Sequence, residues 1–141
     1  MAEQTKAVLQ WEGGLRFSAT AERSGRTVLL DSPTREDCAG PSPMELVLMG
    51  VAGCTAMDVV AILEKMRQPL ARFQVEIVGE RAEQHPKYYT AITIGYRLWG
   101  DGLSREKVER AVKLSHQTYC SALASLRPDC RIESSIEILE A

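Results

Sequence analysis

The sequence predicts an α+β fold, and three patterns in it carry that prediction. Apolar and polar residues alternate at Phe17, Ala19 and Ala21, at Phe73, Val75 and Ile77, from Tyr89 to Trp99, and at Ile132, Ile136 and Ile138, which is the period-two signature of strands. Met44 to Leu63 is apolar almost without interruption, at a length that only a helix uses. After Ser104, the residues Val108, Ala111, Val112, Ser115, Tyr119, Ala122 and Leu126 fall on one stripe at helical spacing.

Taken in order, Val8 to Leu30 reads as a β-hairpin, with Thr27-Val-Leu-Leu as its second strand and Arg23-Ser-Gly-Arg as the turn. Ser32 to Pro43 is a loop rich in proline, glycine and charge. Ser42 and Pro43 then supply an N-cap and a proline at the first helical position, so the central helix starts there, runs to about Met66 and is stopped by Pro69. Apolar residues cover most of its circumference, which predicts an element enclosed on all sides. Gly50 and Gly53 each cost about 1 kcal/mol relative to alanine in a helix interior, and they predict a second helix crossing close to the backbone at that point. Two antiparallel strands follow, joined through Glu83-Gln-His-Pro-Lys, and Gly100-Asp-Gly ends the second. Ser104 caps the next helix, and the strand from Ile132 completes the order β-β-α-β-β-α-β, with room for further strands.

Length and composition exclude several classes. At 141 residues the chain has the size of one domain, 1–141, able to bury a sizeable core. A net charge of −2, with basic residues scattered among acidic ones as in Arg105-Glu-Lys-Val-Glu-Arg, leaves no cationic footprint for nucleic acid. The N-terminal Met1-Ala-Glu-Gln-Thr-Lys lacks the apolar core of a signal peptide, so a cytoplasmic location is expected. Glu45 and Asp58 interrupt the Met44–Leu63 run, which reads as a buried core helix and not a membrane span.

The four cysteines, at 38, 54, 120 and 130, contain no C-x-x-C pair, so neither a zinc site nor any other metal or cofactor is expected. Cys54 stands out because it lies within the apolar run. A thiol among Leu46, Val47, Val51, Val59 and Val60 would have a raised pKa and be inert unless a cation stands nearby. Cys120 lies beside the stripe of the later helix. On spacing alone both could be small core hydrophobes, since free cysteine is among the most buried residue types.

The motifs around these cysteines point further. Gly40-Pro-Ser-Pro-Met-Glu-Leu, Gly53-Cys-Thr-Ala-Met-Asp-Val and Lys113-Leu-Ser-His-Gln-Thr-Tyr-Cys-Ser-Ala resemble the OsmC/Ohr superfamily of thiol peroxidases, and most resemble its YhfA-like branch. With the matching order of elements, the resemblance spans about Trp11 to Glu140. It implies an OsmC-like fold, in which antiparallel sheets surround long central helices in an intertwined homodimer with active sites at the subunit interface. It also implies a thiol-dependent hydroperoxide reductase acting in oxidative stress defence. Cys54 would be the attacking thiol, and Cys120 would trap its sulfenic acid as a disulfide. An external dithiol, such as a lipoylated protein, would reset the enzyme.

The same resemblance places Arg23 as the activating cation, with Arg26 as the alternative. Where the family carries the carboxylate that orients this arginine, the chain has Met44. Glu45 is next in line as the catalytic acid, but nine residues before Cys54 amounts to about 900° of helix rotation, on the opposite face, so it would reach the site only from a bent helix start or across the dimer interface. Its carboxylate also suits the positive end of a helix. Asp58, four residues after Cys54, shares its face and is expected to hydrogen-bond or pair. His116 is a candidate base for Cys120, or a flank residue of its helix, and Tyr119 reads as core or as a pocket wall. Cys38, Cys130 and His85 read as incidental, although Cys130 could compete with Cys120. The apolar setting of Cys54 favours organic hydroperoxides over hydrogen peroxide. From a different class, the chain could be a dimeric apolar-ligand-binding or redox-sensing protein with little peroxidase activity, a reading that Met44 favours.

Overall fold

The computed structural model describes residues 2–141, and its elements confirm the α+β reading. Among the described residues there are two three-stranded sheets. The chain divides into two compact units, one up to Val47 and one from Leu48 onward.

The first unit holds β1 (Ala7–Trp11), β2 (Phe17–Ala21) and β3 (Thr27–Leu30), paired antiparallel in sequence order. The expected hairpin is β2 and β3, with Phe17 opposite Leu30, and β1 adds a third strand, with Trp11 opposite Phe17. Beside them Arg16 binds Asp31 at 2.9 Å and the Asp37 carbonyl at 2.7 Å. Asp31 also accepts from the backbone of Ser32 and Ala39, and these bonds, led by Arg16, hold its carboxyl below the usual range.

The helix α1 (Pro43–Lys65) starts where the sequence places it. Ser42 and Glu45 form a reciprocal capping box: the Ser42 N–H donates to Glu45 Oε1 at 2.9 Å and the Glu45 N–H donates to Ser42 Oγ at 3.1 Å. The helix ends in a Schellman motif, with Gln68 N–H on the Leu63 carbonyl and Arg67 N–H on that of Glu64. Arg67 takes the left-handed position at φ 56°, ahead of Pro69.

The expectation that α1 is enclosed on all sides is corrected within the single chain. Only the stripe Val51, Thr55, Val59 and Leu63 is buried, while Met49, Met57 and Val60 are exposed. Nor does a second helix cross at the glycines: among the described residues, a Cβ added to Gly50 or Gly53 would meet no atom within 4 Å. By length and composition alone α1 could cross a membrane. Its polar residues Thr55 and Asp58 are instead tied by hydrogen bonds to other elements of the second unit.

That unit is built on β4 (Arg72–Arg81), β5 (Tyr89–Trp99) and β6 (Arg131–Leu139), with β5 central, antiparallel to β4 and parallel to β6. Ile92, Ile94, Tyr96 and Leu98 point from β5 into the core, as the alternation requires. The core also takes Val108, Ala111 and Val112 from α2 (Arg105–Leu114), whose N-cap is Ser104. Three of its side chains are polar and share bonds: Thr55 Oγ1 lies 2.7 Å from the Tyr96 hydroxyl and 2.8 Å from Ser115 Oγ. Thr55 therefore fastens α1 to the sheet and to the end of α2 at once. Among the described residues no buried side-chain polar atom lacks a partner.

Replacing this hydroxyl by a methyl group of equal volume tests the fastening. Thr55→Val leaves Tyr96 and Ser115 each short of a partner and is expected to destabilise the fold by about 1–3 kcal/mol in urea denaturation. Thr55→Ser is expected to recover most of that loss. Leu63→Ala, at a wholly buried position, is expected to cost about 2–5 kcal/mol.

Candidate functional site

Two elements of the second unit bring the sulfurs together. α1 carries Cys54 and Asp58 one turn apart, so both project from the same face. Cys120 arrives from the far end of α2, where the helix does not continue as its stripe predicts. Ser115–Tyr119 form a π-helical turn, and Cys120 then takes an extended backbone, φ −74° and ψ 98°, as the N-cap of the short α3 (Ser121–Ala124). π turns recur at functional sites because the added residue redirects the side chains that follow. Here the turn corrects two expectations. Cys120 does not sit beside a continuous stripe but is buried, and Tyr119, expected in the core or on a pocket wall, is exposed.

The result is that Cys54 Sγ, Cys120 Sγ and a carboxylate oxygen of Asp58 all lie within 4.8 Å of one another. Both cysteines are free thiols, Cys54 half-buried and Cys120 buried. Burial pushes the Cys120 thiol up to about 11, and the neighbouring Cys54 sulfur adds to the rise. The Leu123 N–H, which donates to Cys120 Sγ at 3.4 Å, opposes it. At neutral pH Cys120 is a protonated thiol.

A chain of hydrogen bonds backs this pair. Asp58 Oδ2 accepts from Ser115 Oγ at 2.9 Å, Ser115 meets Thr55, Thr55 meets Tyr96, and the Tyr96 hydroxyl lies 2.8 Å from His116 Nε2. Burial raises the Tyr96 phenol to about 12, the Thr55 bond opposing, with the Cys120 and Asp58 charges adding to the rise. Burial also lowers the His116 pKa, so at neutral pH the imidazole is uncharged. Neither Tyr96 nor His116 therefore adds a charge to the network at that pH, and the Asp58 carboxyl is fixed by the hydrogen bond the sequence leads one to expect.

The other sequence-derived site residues lie in the first unit. Arg23 is exposed and pairs with Glu3 at 3.3 Å. Glu45 is engaged in the capping box, and the Ser42 donors hold its carboxyl below the ordinary range. Arg26 N–H donates to Ser24 Oγ at 3.2 Å within the turn. Beside Cys120 a cavity of about 360 Å³ is walled by Leu123, Leu126, Pro128, Ile132 and Cys130, with His116 and Arg127 at its polar side. Arg127 stacks over the Tyr88 ring at 3.9 Å.

Sequence reasoning missed Thr55, Tyr96 and Ser115, which hold Asp58 and His116 in place. Thr55 is adjacent to Cys54 in the quoted motif, and Ser115 and His116 open the segment that ends in Cys120, so two of the three lay in view. Tyr96, on an alternating strand, carries no sign of its partner.

The comparisons with known proteins agree with this architecture. The model of the OsmC-like protein family matches residues 35–135. Protein YhfA of Escherichia coli (strain K12) is 38% identical over 136 residues, which cover 96% of this chain and 99% of that protein. A solved structure of a hypothetical protein from Aquifex aeolicus VF5 is similar with a TM-score of 0.88 at 31% identity, over 99% of each chain. The organic hydroperoxide resistance protein OhrB of Bacillus subtilis shares the fold, with a TM-score of 0.64 at 15% identity over 96% of this chain and 98% of that one. With the family model spanning most of its length and a near-full-length relative at this identity, the chain belongs to the OsmC-like protein family.

Proposed function

We propose that the protein is a thiol-dependent hydroperoxide reductase of the cytoplasm that takes organic hydroperoxides. The observation that carries this reading is the approach of the Cys54 and Cys120 sulfurs to within 4.8 Å. Family membership and the likeness to organic hydroperoxide resistance proteins support a role in redox stress.

The roles follow from burial. Cys120, protonated at neutral pH, is a poor first nucleophile, whereas half-buried Cys54 is open to a substrate. The Cys54 thiolate attacks the terminal peroxide oxygen, the O–O bond breaks, and the alkoxide leaves and takes a proton. The sulfenic acid on Cys54 is then attacked by Cys120, with loss of water and formation of a disulfide. A dithiol outside the chain, such as a lipoyl group, supplies the two electrons that restore both thiols. Arg23 is the cation proposed to favour the Cys54 thiolate and hold the peroxide. Glu45, named beside it from the resemblance, enters the proposal as the residue that fixes the start of α1.

A homodimer is part of the same proposal. Val8, Leu9 and Trp11 of β1 are exposed, as are Met49, Met57 and Val60 of α1, and large exposed apolar side chains grouped on one element mark an interaction surface. Gly50 and Gly53 leave the α1 backbone open for a close helix crossing. A second copy of the chain covers both.

Three outcomes are expected. Wild-type protein consumes cumene hydroperoxide with dihydrolipoamide, Cys54→Ser does not, and Cys120→Ser stalls after one oxidation as a sulfenic acid that dimedone traps; a wild type inert with every dithiol favours ligand binding or sensing instead. Because the Cys120 thiolate fraction grows with pH below about 11, the single-turnover rate of disulfide formation is expected to rise by up to about tenfold per pH unit between about pH 7 and 9, and a flat profile would reject Cys120 as the resolving thiol. In sedimentation equilibrium the protein is expected at twice the chain mass of 15.6 kDa, with Met57→Glu shifting it toward monomer.

A further inference from the structure

We infer that the reduced thiol pair is also a binding site for a borderline-soft divalent cation of the zinc type, held by Cys54, Asp58 and Cys120. Cysteine spacing conceals this donor set, because one thiol comes from α1 and the other from the turn before α3. Folding brings two sulfurs and a carboxylate oxygen within 4.8 Å of one another in a half-buried setting.

The chemistry of the donors fits such an ion. Thiolate and carboxylate are both zinc ligands, and three protein ligands leave a fourth tetrahedral position open. Two ligands at i and i+4 on one helix face, as in Cys54 and Asp58, form a recurring half-site. Tetrahedral geometry with metal–sulfur bonds of about 2.3 Å places two sulfurs about 3.8 Å apart, so the two sulfurs need to close by about 1 Å at most. Outer contacts are in place as well. Ser115 Oγ donates to Asp58 Oδ2 at 2.9 Å, and the Leu123 N–H donates to Cys120 Sγ at 3.4 Å. Such contacts orient ligands and temper their charge.

Binding is balanced by protons: a divalent cation displaces one from each thiol and leaves the site with a net charge of −1. The same two sulfurs cannot form a disulfide while they hold the ion. The site therefore exists only in the reduced protein, and an occupied site shields both thiols from oxidants.

The test reads metal uptake with no peroxide present, so its outcome is separate from that of the turnover assay. The protein, with Cys38→Ser and Cys130→Ser removing the other thiols, is reduced, freed of reductant without oxygen, and titrated with Co²⁺. A near-ultraviolet sulfur-to-cobalt charge-transfer band is expected, saturating at one ion per chain and abolished by Zn²⁺, which thiolate ligands favour. Asp58→Asn is expected to weaken uptake at least about tenfold, as is Ser115→Ala through the orientation of Asp58. Cys54→Ser or Cys120→Ser is expected to halve the band at saturation. The same protein oxidised with diamide, which leaves Cys54 and Cys120 unsubstituted, is expected to show none. A reduced protein with no saturable band, or a band unchanged in Asp58→Asn or Cys54→Ser, overturns the site.

Discussion

The second unit depends on one buried hydroxyl. Thr55 stands in the stripe of α1 that the described residues bury, and its oxygen is shared between Tyr96 on β5 and Ser115 at the end of α2. A polar group in such a place costs free energy unless every partner is in register. The three elements therefore have one relative placement that satisfies it. That placement sets the thiol pair: Cys54 is one residue from Thr55, and Cys120 lies five residues beyond Ser115, across the π turn. A hydrophobic contact in the same position would tolerate sliding by a fraction of a turn, which is enough to separate two sulfurs.

The network also fixes the charge around the sulfurs. Burial keeps Tyr96 protonated and His116 neutral, so neither places a charge beside the thiols at neutral pH. Asp58 remains, and an unpaired carboxylate there would oppose thiolate formation. Its bond from Ser115 disperses part of that charge. Both parts proposed for the site answer the same imbalance. None of the hydrogen-bonded partners described for this cluster is a cation, and a positive charge is what each proposal would add to it.

Much of the fold was legible because its signals are local. Ser42 and Pro43 marked the start of α1 to the residue, and Ser104 marked that of α2, since caps act within one turn. The alternation along β5 gave its buried face. What failed was extrapolation of a period. The stripe from Val108 to Leu126 assumes uninterrupted α-helix, and one π turn rotates everything after Ser115, exposing Tyr119 and burying Cys120. The shared bonds of Thr55, Tyr96 and Ser115 were not legible, because a polar residue on an apolar face reveals its need of a partner but not the partner's identity. For the cysteines, the motif context named the pair that folding brings together, and residue spacing did not.

The two faces of α1 explain why its thiol is half-exposed. Val51, Thr55, Val59 and Leu63 form the buried stripe, and Met49, Gly50, Gly53, Met57 and Val60 lie about 150° around the helix from it. Cys54 and Asp58 fall on the flank between them. A residue on either apolar face would be sealed from substrate, by the chain's own core or by the proposed second copy, whereas one on the flank stands at the margin of both. There a thiol can be reached by a small peroxide or an ion while keeping a low-dielectric wall on each side. A helix that is apolar nearly all round is thus what a margin of this kind requires: it needs two covered faces to define it. On the proposed dimer, the run from Met44 to Leu63 would serve two separate burials, with Cys54 on the edge between them.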